Sequence, residues 1–425
     1  MSAPAVPRFT FLSARHLFMA LALLLLLACL YRMFDYALGW SGGWKPMPSA
    51  TAPQARFVDQ NPGDTDASAQ AAAADAELRA ARDSTQAPAV SAAVSLAGHR
   101  VWASAVGWAD VDQQLPVDLD ASFRLGSSSK AINAVALGTL LDAGRIDLDA
   151  PVRRYLEGVA EPVASVTTRQ AISHTAGIRD YGVCLCFPIW EQFSRRDFGH
   201  SARAGIAVFA DDALLFKPGT QFAYSSYGAN LSGAVIEAVA GMNYLDYIQS
   251  AVFQPLGMRH SGGDWAGTEV PGRVRFYDTQ EGRYKRAYPV DNSIKWPSGG
   301  MIASPSDMLL LGEAMLDSRL FSAATRDLLI RPQPLSDGSA NEQGYALGWR
   351  YFGDKKLFDG KLTTRFYTHN GTAVGSASYF AVYPDYGLVI SVMMNKSVNS
   401  LDGLAPHANR LAELFIAPQL KVASQ

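Results

Sequence analysis

The 425-residue sequence predicts an α/β (α+β) protein: a mixed antiparallel sheet flanked by helices, with a mostly helical lobe inserted between the two halves of the sheet. Three observations lead there. β-Branched and aromatic segments of strand length occur early and again late, the stretch between them carries apolar residues at helical spacing, and Gly or Pro turns separate the elements. Hydrophobic residues make up 48% of the chain and the formal charge is −2, so there is no basic face for nucleic acid and a small-molecule or peptide substrate is expected.

Taken in order, Leu17 to Tyr31 is uninterruptedly apolar and follows Arg8, Arg15 and His16, the pattern of a secretion or anchoring signal whose charged end stays in the cytoplasm. Residues 1–34 are expected to be cleaved as a signal or to tether the chain, as a signal-anchor or as a lipoprotein modified at Cys29. The rest would lie on the periplasmic face of the cell envelope. Residues 35–67 are rich in Gly, Pro, Ser and Ala, have no apolar period and read as a linker.

The folded domain is expected over 68–418, with its helical lobe at about 131–298 and a tail at 419–425. Ala71 to Arg82 reads as an opening helix, and Ala89–Leu96 with Val101–Val106 as a hairpin turning at Gly98. Phe123-Arg124-Leu125-Gly126 leads into a helix starting at Ser127, with Ile132, Val135, Ala136 and Leu140 on its apolar stripe until Gly144 ends it. Further helices are expected at Ala229–Val239 and Ser306–Leu316. Strands follow at Gly344–Arg350, Arg365–His369, Ala377–Tyr383 and Gly387–Asn395, then a closing helix at Pro406–Phe415.

Several chemistries find no footing. Cys184 and Cys186 form a C-x-C too short for the usual metal or redox spacing, and read as free thiols or a strained disulfide. The histidines show no H-x-x-x-H and there is no G-x-S-x-G, so neither a metal site nor an α/β-hydrolase elbow is expected, and no cofactor. One lysine, Lys130, has a serine three residues before it. That spacing puts Ser127 and Lys130 on one helical face, where a nucleophile and a group able to take its proton meet. Taken alone, the tetrapeptide reads more readily as a helix N-terminus with a solvated lysine. Downstream, in order, come Tyr224-Ser225-Ser226 and His369-Asn370-Gly371.

This ordered set resembles the serine β-lactamase and penicillin-binding superfamily, in a class C-like form, whose elements are S-x-x-K, Y-x-N or S-x-N, and K/H-x-G. The likeness covers about residues 71–415. Within the superfamily the sequence is most similar to the branch of mitochondrial serine β-lactamase-like proteins and their bacterial relatives. The residues that carry it are HTAGIRDY from His174, YSSYG from Tyr224, Tyr244-Leu245-Asp246-Tyr247, Arg275-Phe276-Tyr277, and Val290 to Trp296 with Gly299-Gly300.

The resemblance implies a β-lactamase/transpeptidase-like fold and these roles. Ser127 is acylated, Lys130 holds or removes its proton, and Tyr224 protonates the leaving group. The N–H groups of Ser127 and Thr372 form an oxyanion hole, and Ser226, His369, Asn370 and Gly371 line the substrate. His369 belongs to a positive wall, and Asp291, Asn292 and Lys295 stand near the rim. His174 is expected to be structural.

Two departures weaken β-lactam turnover: Ser226 stands where the family commonly has Asn, and His369 where it commonly has Lys. The branch is amidase- or peptidase-like, and its mitochondrial member forms filaments. The expected function is thus a membrane-tethered serine hydrolase acting on a peptide, amide or ester. The alternatives are a D-alanyl-D-alanine carboxypeptidase or β-lactamase and, from another class, a non-catalytic filament-forming or ligand-sensing protein. A homo-oligomer would fit either class.

Overall fold

The computed structural model describes residues 13–38, 43–48, 51–59, 65–183, 190–193 and 197–423. Cys184 and Cys186 lie outside these residues, as does the side chain of Cys29. The chain divides into two units, 1–45 and 46–425.

In the first unit, helix α1 (Ala14–Leu38) carries the apolar run, with Leu17, Phe18, Leu24 and Leu25 exposed. No helix among the described residues is long and apolar enough to cross a membrane. The uninterrupted apolar run from Leu17 to Tyr31 rises about 22 Å as a helix, against a hydrocarbon core of about 30 Å.

The second unit is built on one large antiparallel sheet, with Phe123–Arg124, Met301–Ala303 and Gly262–Gly263 in a small sheet of their own. Its elements in chain order begin with strand β1 (Gln54–Val58), helix α2 (Thr65–Thr85), and strands β2 (Ala89–Leu96), β3 (His99–Asp110) and β4 (Phe123–Arg124). Helices α3 (Ser129–Asp142) and α4 (Ser226–Ala240) follow, then β5 (Met301–Ala303) and α5 (Pro305–Asp317). The chain closes with β6 (Arg350–Leu357), β7 (Leu362–Thr368), β8 (Gly371–Ala373), β9 (Ser376–Tyr383), β10 (Leu388–Met394) and α6 (Ala405–Ala423). The strand order is β6-β7-β9-β10-β2-β3-β1, with β8 also on β9 and Leu115–Pro116 also on β3. The early and late strands thus meet at the β10–β2 pair, where Ile390 faces Val94 and Val392 faces Ala92.

Both faces of the sheet are covered, and the alternation of β10 shows how. Ile390, Val392 and Met394 pack with Leu78 of α2 and Leu411, Phe415 and Ile416 of α6. Val389 and Met393 point the other way, into a core that includes α3, α4 and α5. A strand buried on both sides needs apolar residues throughout, which is what Leu388–Met394 provides apart from Ser391. The Trp102 indole N–H donates to Asp75 Oδ1 at 3.1 Å and ties α2 to β3. Helix α3 is central: its residues from Ser129 to Leu137 are all buried.

Three sequence readings change. The stretch taken for a linker contains β1, an edge strand in which Phe57 pairs with Ala103 and Val58 with Trp102. Its prolines at 46, 48 and 53 punctuate the chain so closely that a five-residue strand shows no period. Gly344–Trp349 is a turn rather than a strand, closed by Ala346 N–H to the Trp349 carbonyl at 2.8 Å, with Gly344 and Gly348 at positive φ. The strand starts only at Arg350 and makes a hairpin with β7. Ser127 lies in a 3₁₀ turn, Gly126–Ser128, that runs into α3 rather than in α3 itself.

Strand β4 is fixed by a buried charge network. Asp264 accepts from Arg124 Nε at 2.6 Å, from Arg273 Nη1 at 2.7 Å and from Asn292 Nδ2 at 2.6 Å. Arg124 also donates to the Val374 carbonyl, just past β8. Removing the one anion leaves the Arg124 guanidinium buried without its counter-charge. Asp264→Ala is therefore expected to cost about 3–5 kcal/mol, read as a lowered urea midpoint; an unchanged midpoint would contradict the network's role.

Candidate active site

Local backbone chemistry places Ser127. Arg124 pairs with Ile302 across β4 and β5, and the Leu125 N–H donates to the Met301 carbonyl at 2.9 Å. Gly126 then adopts φ +51 and turns the chain into the 3₁₀ turn. Only glycine fits, because a Cβ there would meet the Thr372 carbonyl oxygen at 2.4 Å. The approach is reciprocal: a Cβ on Gly371 would stand 2.0 Å from the Leu125 carbonyl oxygen and 2.6 Å from the Ser127 nitrogen.

The three adjacent serines separate by task. Ser128 Oγ, fully buried, donates to the His369 carbonyl at 2.6 Å and bonds Ser378 Oγ at 2.7 Å. Ser129 Oγ accepts the Met301 N–H at 3.2 Å. Both fasten the turn to the sheet. Ser127 alone faces the cavity.

Around its hydroxyl, the expected partners converge. Lys130 Nζ donates to Ser127 Oγ at 3.2 Å, and the Tyr224 hydroxyl donates to the same oxygen at 2.9 Å. Lys130 is fully buried, held by a 2.7 Å bond from Nζ to the Ser298 carbonyl, and its Nζ lies 4.9 Å from the Tyr224 ring centroid. Tyr224 immediately precedes Ser225, the N-cap of α4, whose hydroxyl accepts the Gly228 N–H. The Ser225 N–H in turn donates to His174 Nδ1 at 3.1 Å, and the His174 ring packs at 4.3 Å from both Tyr224 and Tyr345. His174 is thus a support for the tyrosine.

A cavity of about 540 Å³ opens at Ser127. Tyr224, His369, Asn370, Gly371 and Thr372 line it, and Ser226 does not. Ser226 is buried, with its N–H on Asp180 Oδ1 at 2.9 Å and its hydroxyl on Tyr181. The Asn370 side-chain oxygen accepts from the Phe380 N–H and Thr368 Oγ1, inside the sheet. Asp291, Asn292 and Lys295 are not cavity walls either: Asn292 belongs to the Asp264 network, and Asp291 accepts the Ser293 N–H. Lys295 lies behind the site, 5.6 Å from the Tyr181 ring centroid and bonded to the Gln192 carbonyl; burial lowers its pKa to about 8.

His369 does not supply a positive wall. Its Nδ1 donates to the Asn370 carbonyl at 3.0 Å and its Nε2 bonds the Tyr345 hydroxyl at 2.8 Å, as acceptor when the imidazole is neutral. Burial, then Lys130 and Arg350, hold its pKa well below the ordinary range. Tyr345 is held in its protonated, donating form by burial.

Two residues near this centre were given no role from the sequence, although Tyr345 opens a run that supports the family resemblance. Tyr345 belongs to the Gly344–Trp349 turn, and Arg350 is the residue after it. The Arg350 guanidinium lies 5.8 Å from the Tyr224 ring centroid and 5.9 Å from that of Tyr345. The sequence signal was only that Arg350 follows a Tyr-Ala-Leu-Gly-Trp run. Non-local packing brings it to Ser127.

Residues 74–414 match the family model Beta-lactamase. The chain belongs to the beta-lactamase family. It is 28% identical to the mitochondrial serine beta-lactamase-like protein LACTB of Homo sapiens, over 77% of each chain. It is 25% identical to penicillin-binding protein 4* of Bacillus subtilis, over 68% of this chain and 64% of that one. Among solved structures, the D-amino acid amidase of Ochrobactrum anthropi superposes with a TM-score of 0.67 at 19% identity, over 81% of this chain and 99% of that one. A penicillin-binding protein of Bacillus halodurans superposes with a TM-score of 0.64 at 23% identity, over 77% and 97%. At these identities the superpositions establish the fold, and the family is one of serine hydrolases.

The neutral histidines have a measurable consequence. His174, like His369, has its pKa driven well below 6.5, first by burial and then by Lys130, His369 and Arg350. With folded values below the unfolded one of about 6.5, the unfolded chain takes up protons that the native chain refuses as pH falls. Each histidine should therefore remove up to about 1.4 kcal/mol of stability per pH unit below about 6.5. Urea midpoints at pH 7.5 and 5.5 should differ more for the unsubstituted protein than for His369→Gln; equal differences would contradict a neutral His369.

Proposed function

We propose that the protein opens an amide, peptide or ester bond through an acyl-enzyme on Ser127. The observation that carries this reading is the simultaneous contact of Ser127 Oγ with Lys130 Nζ and the Tyr224 hydroxyl at the mouth of a cavity. Ser127 Oγ attacks the carbonyl carbon, and its proton passes to the Lys130–Tyr224 pair. The carbonyl oxygen becomes an oxyanion facing the Ser127 and Thr372 N–H groups, whose segments the two glycines bring together. Tyr224 then protonates the leaving nitrogen or oxygen as the C–N or C–O bond breaks. Water attacks the acyl-enzyme, gives up one proton to the same pair, and releases the carboxylic acid with Ser127 restored.

Within the family, amidase or peptidase chemistry fits this cavity better than β-lactam turnover or D-alanyl-D-alanine carboxypeptidase activity. The amide that an asparagine would add in the second motif is replaced by a buried Ser226, and the residue in the lysine position is a neutral imidazole. A purely structural role is disfavoured, because a chain released from catalysis has no need to keep a buried lysine and a tyrosine both on one half-buried serine hydroxyl. The exposed leucines of α1 support a tether at a membrane surface, with the folded domain on the outer side.

Turnover of a panel of fluorogenic esters and amino-acid amides tests the chemistry. Ser127→Ala should be inactive, and Tyr224→Phe should lower kcat/KM by about 10²–10⁴; hydrolysis unchanged by Ser127→Ala would refute the mechanism. Deleting residues 1–40 should move the protein from the membrane fraction to the soluble one without altering turnover. Retention in the membrane fraction would place the tether elsewhere.

A further inference from the structure

The cavity beyond Ser127 carries two cations and no acid. Arg350 and Lys355 line it together with Phe352 and Phe366, and no aspartate or glutamate does. Arg350 Nε is buried without a hydrogen-bond partner among the described residues. Lys355 Nζ sits 5.1 Å from the centroid of the Phe366 ring. Glu413, the acid whose charge reaches Lys355, already accepts from the Phe358 N–H and from Arg410.

A local irregularity puts the two cations side by side. Arg350 pairs with Thr368 and Phe352 with Phe366, but the next pair is Lys355 with Thr364. Three residues advance on β6 while two advance on β7, so one extra residue is inserted at Gly353-Asp354. In a regular strand, position 355 would face away from 350 and 352, because side chains alternate. The bulge turns Lys355 onto the face that Arg350 and Phe352 share. Phe352 and Phe366 stack at 5.2 Å between the two cations and give the strip an apolar floor. Four positions of β7 separate the partners of Arg350 and Lys355, which is about 13 Å, the span of roughly four residues of extended peptide.

We propose that Arg350 and Lys355 form a two-cation strip that binds an extended, acidic leaving fragment, making acidic peptides the substrate class of this site. The assignment to the leaving side rests on the acyl-enzyme reading above, since Arg350 stands beside Tyr224, the group that protonates the departing atom. Arg350 offers a planar fork for one carboxylate, and Lys355 offers a point charge for a second. The neutral His369 contributes neither. A fragment of this length is more than the single terminal residue that a carboxypeptidase releases.

Fluorescence anisotropy of rhodamine-labelled tetraglutamate and tetraglutamine peptides on the full chain tests the strip, with fluorophosphonate labelling of the same samples reporting on Ser127 separately. The tetraglutamate peptide should bind at least about tenfold more tightly, a margin that one charged hydrogen-bonded contact can supply. That margin should shrink with rising salt, fall in both Arg350→Gln and Lys355→Gln, and survive in part in Arg350→Lys. Equal affinity for the two peptides would overturn the strip, even with Ser127 fully labelled. A glutamate preference without labelling would support the strip and contradict the acyl-enzyme.

Discussion

The site depends on a contact between two stretches of backbone that leaves no room for a side chain. Gly126 and Gly371 come from the two ends of the fold, and each occupies space that a Cβ would deny to the other's segment. Ser128 and Ser378 lock the same junction from below, through the His369 and Leu125 carbonyls. A second tie, the β10–β2 pair, holds the early and late strands of the sheet in register. Ser127 and the strand that follows the third motif thus share one rigid frame, as the proposed oxyanion site would require.

Charge in the site is arranged by burial more than by ion pairing. Lys130 enters it as a fully buried amine bonded to a backbone carbonyl and to the serine, with the face of Tyr224 beside it. The nearby imidazoles are forced neutral, so they act as hydrogen-bonding spacers: His174 supports Ser225, and His369 links Tyr345 to the Asn370 carbonyl. The cationic character that a lysine would give the third motif lies instead on β6, at Arg350. The fold keeps a positive surface facing the serine while moving its origin to a different strand.

Much of this was legible in the sequence because the chemistry is local and ordered. Ser127 and Lys130 are three residues apart, and Tyr224 and His369 follow in fixed sequence. The α3 stripe, the β2–β3 hairpin, and strands β9 and β10 follow from apolar pattern and turn residues. What was not legible depends on distant partners. Gln54–Val58 is a strand only because β3 offers it an edge, and Gly344–Trp349 becomes a turn because Gly344 and Gly348 take positive φ. Ser226 matches a motif position yet points into the helical lobe, since Asp180 and Tyr181 capture its N–H and hydroxyl. Arg350 and the bulge that aligns Lys355 with it have no motif at all.

The central claim is that Ser127, and neither of the serines beside it, carries the acyl group. Rapid-quench peptide mapping by mass spectrometry during turnover of a slow ester tests this most directly. The account predicts the acyl mass on Ser127, rising within the first turnover and falling as substrate is exhausted. An acyl group found on Ser128 or Ser129, or product formed with no acylated peptide at any time, would contradict it.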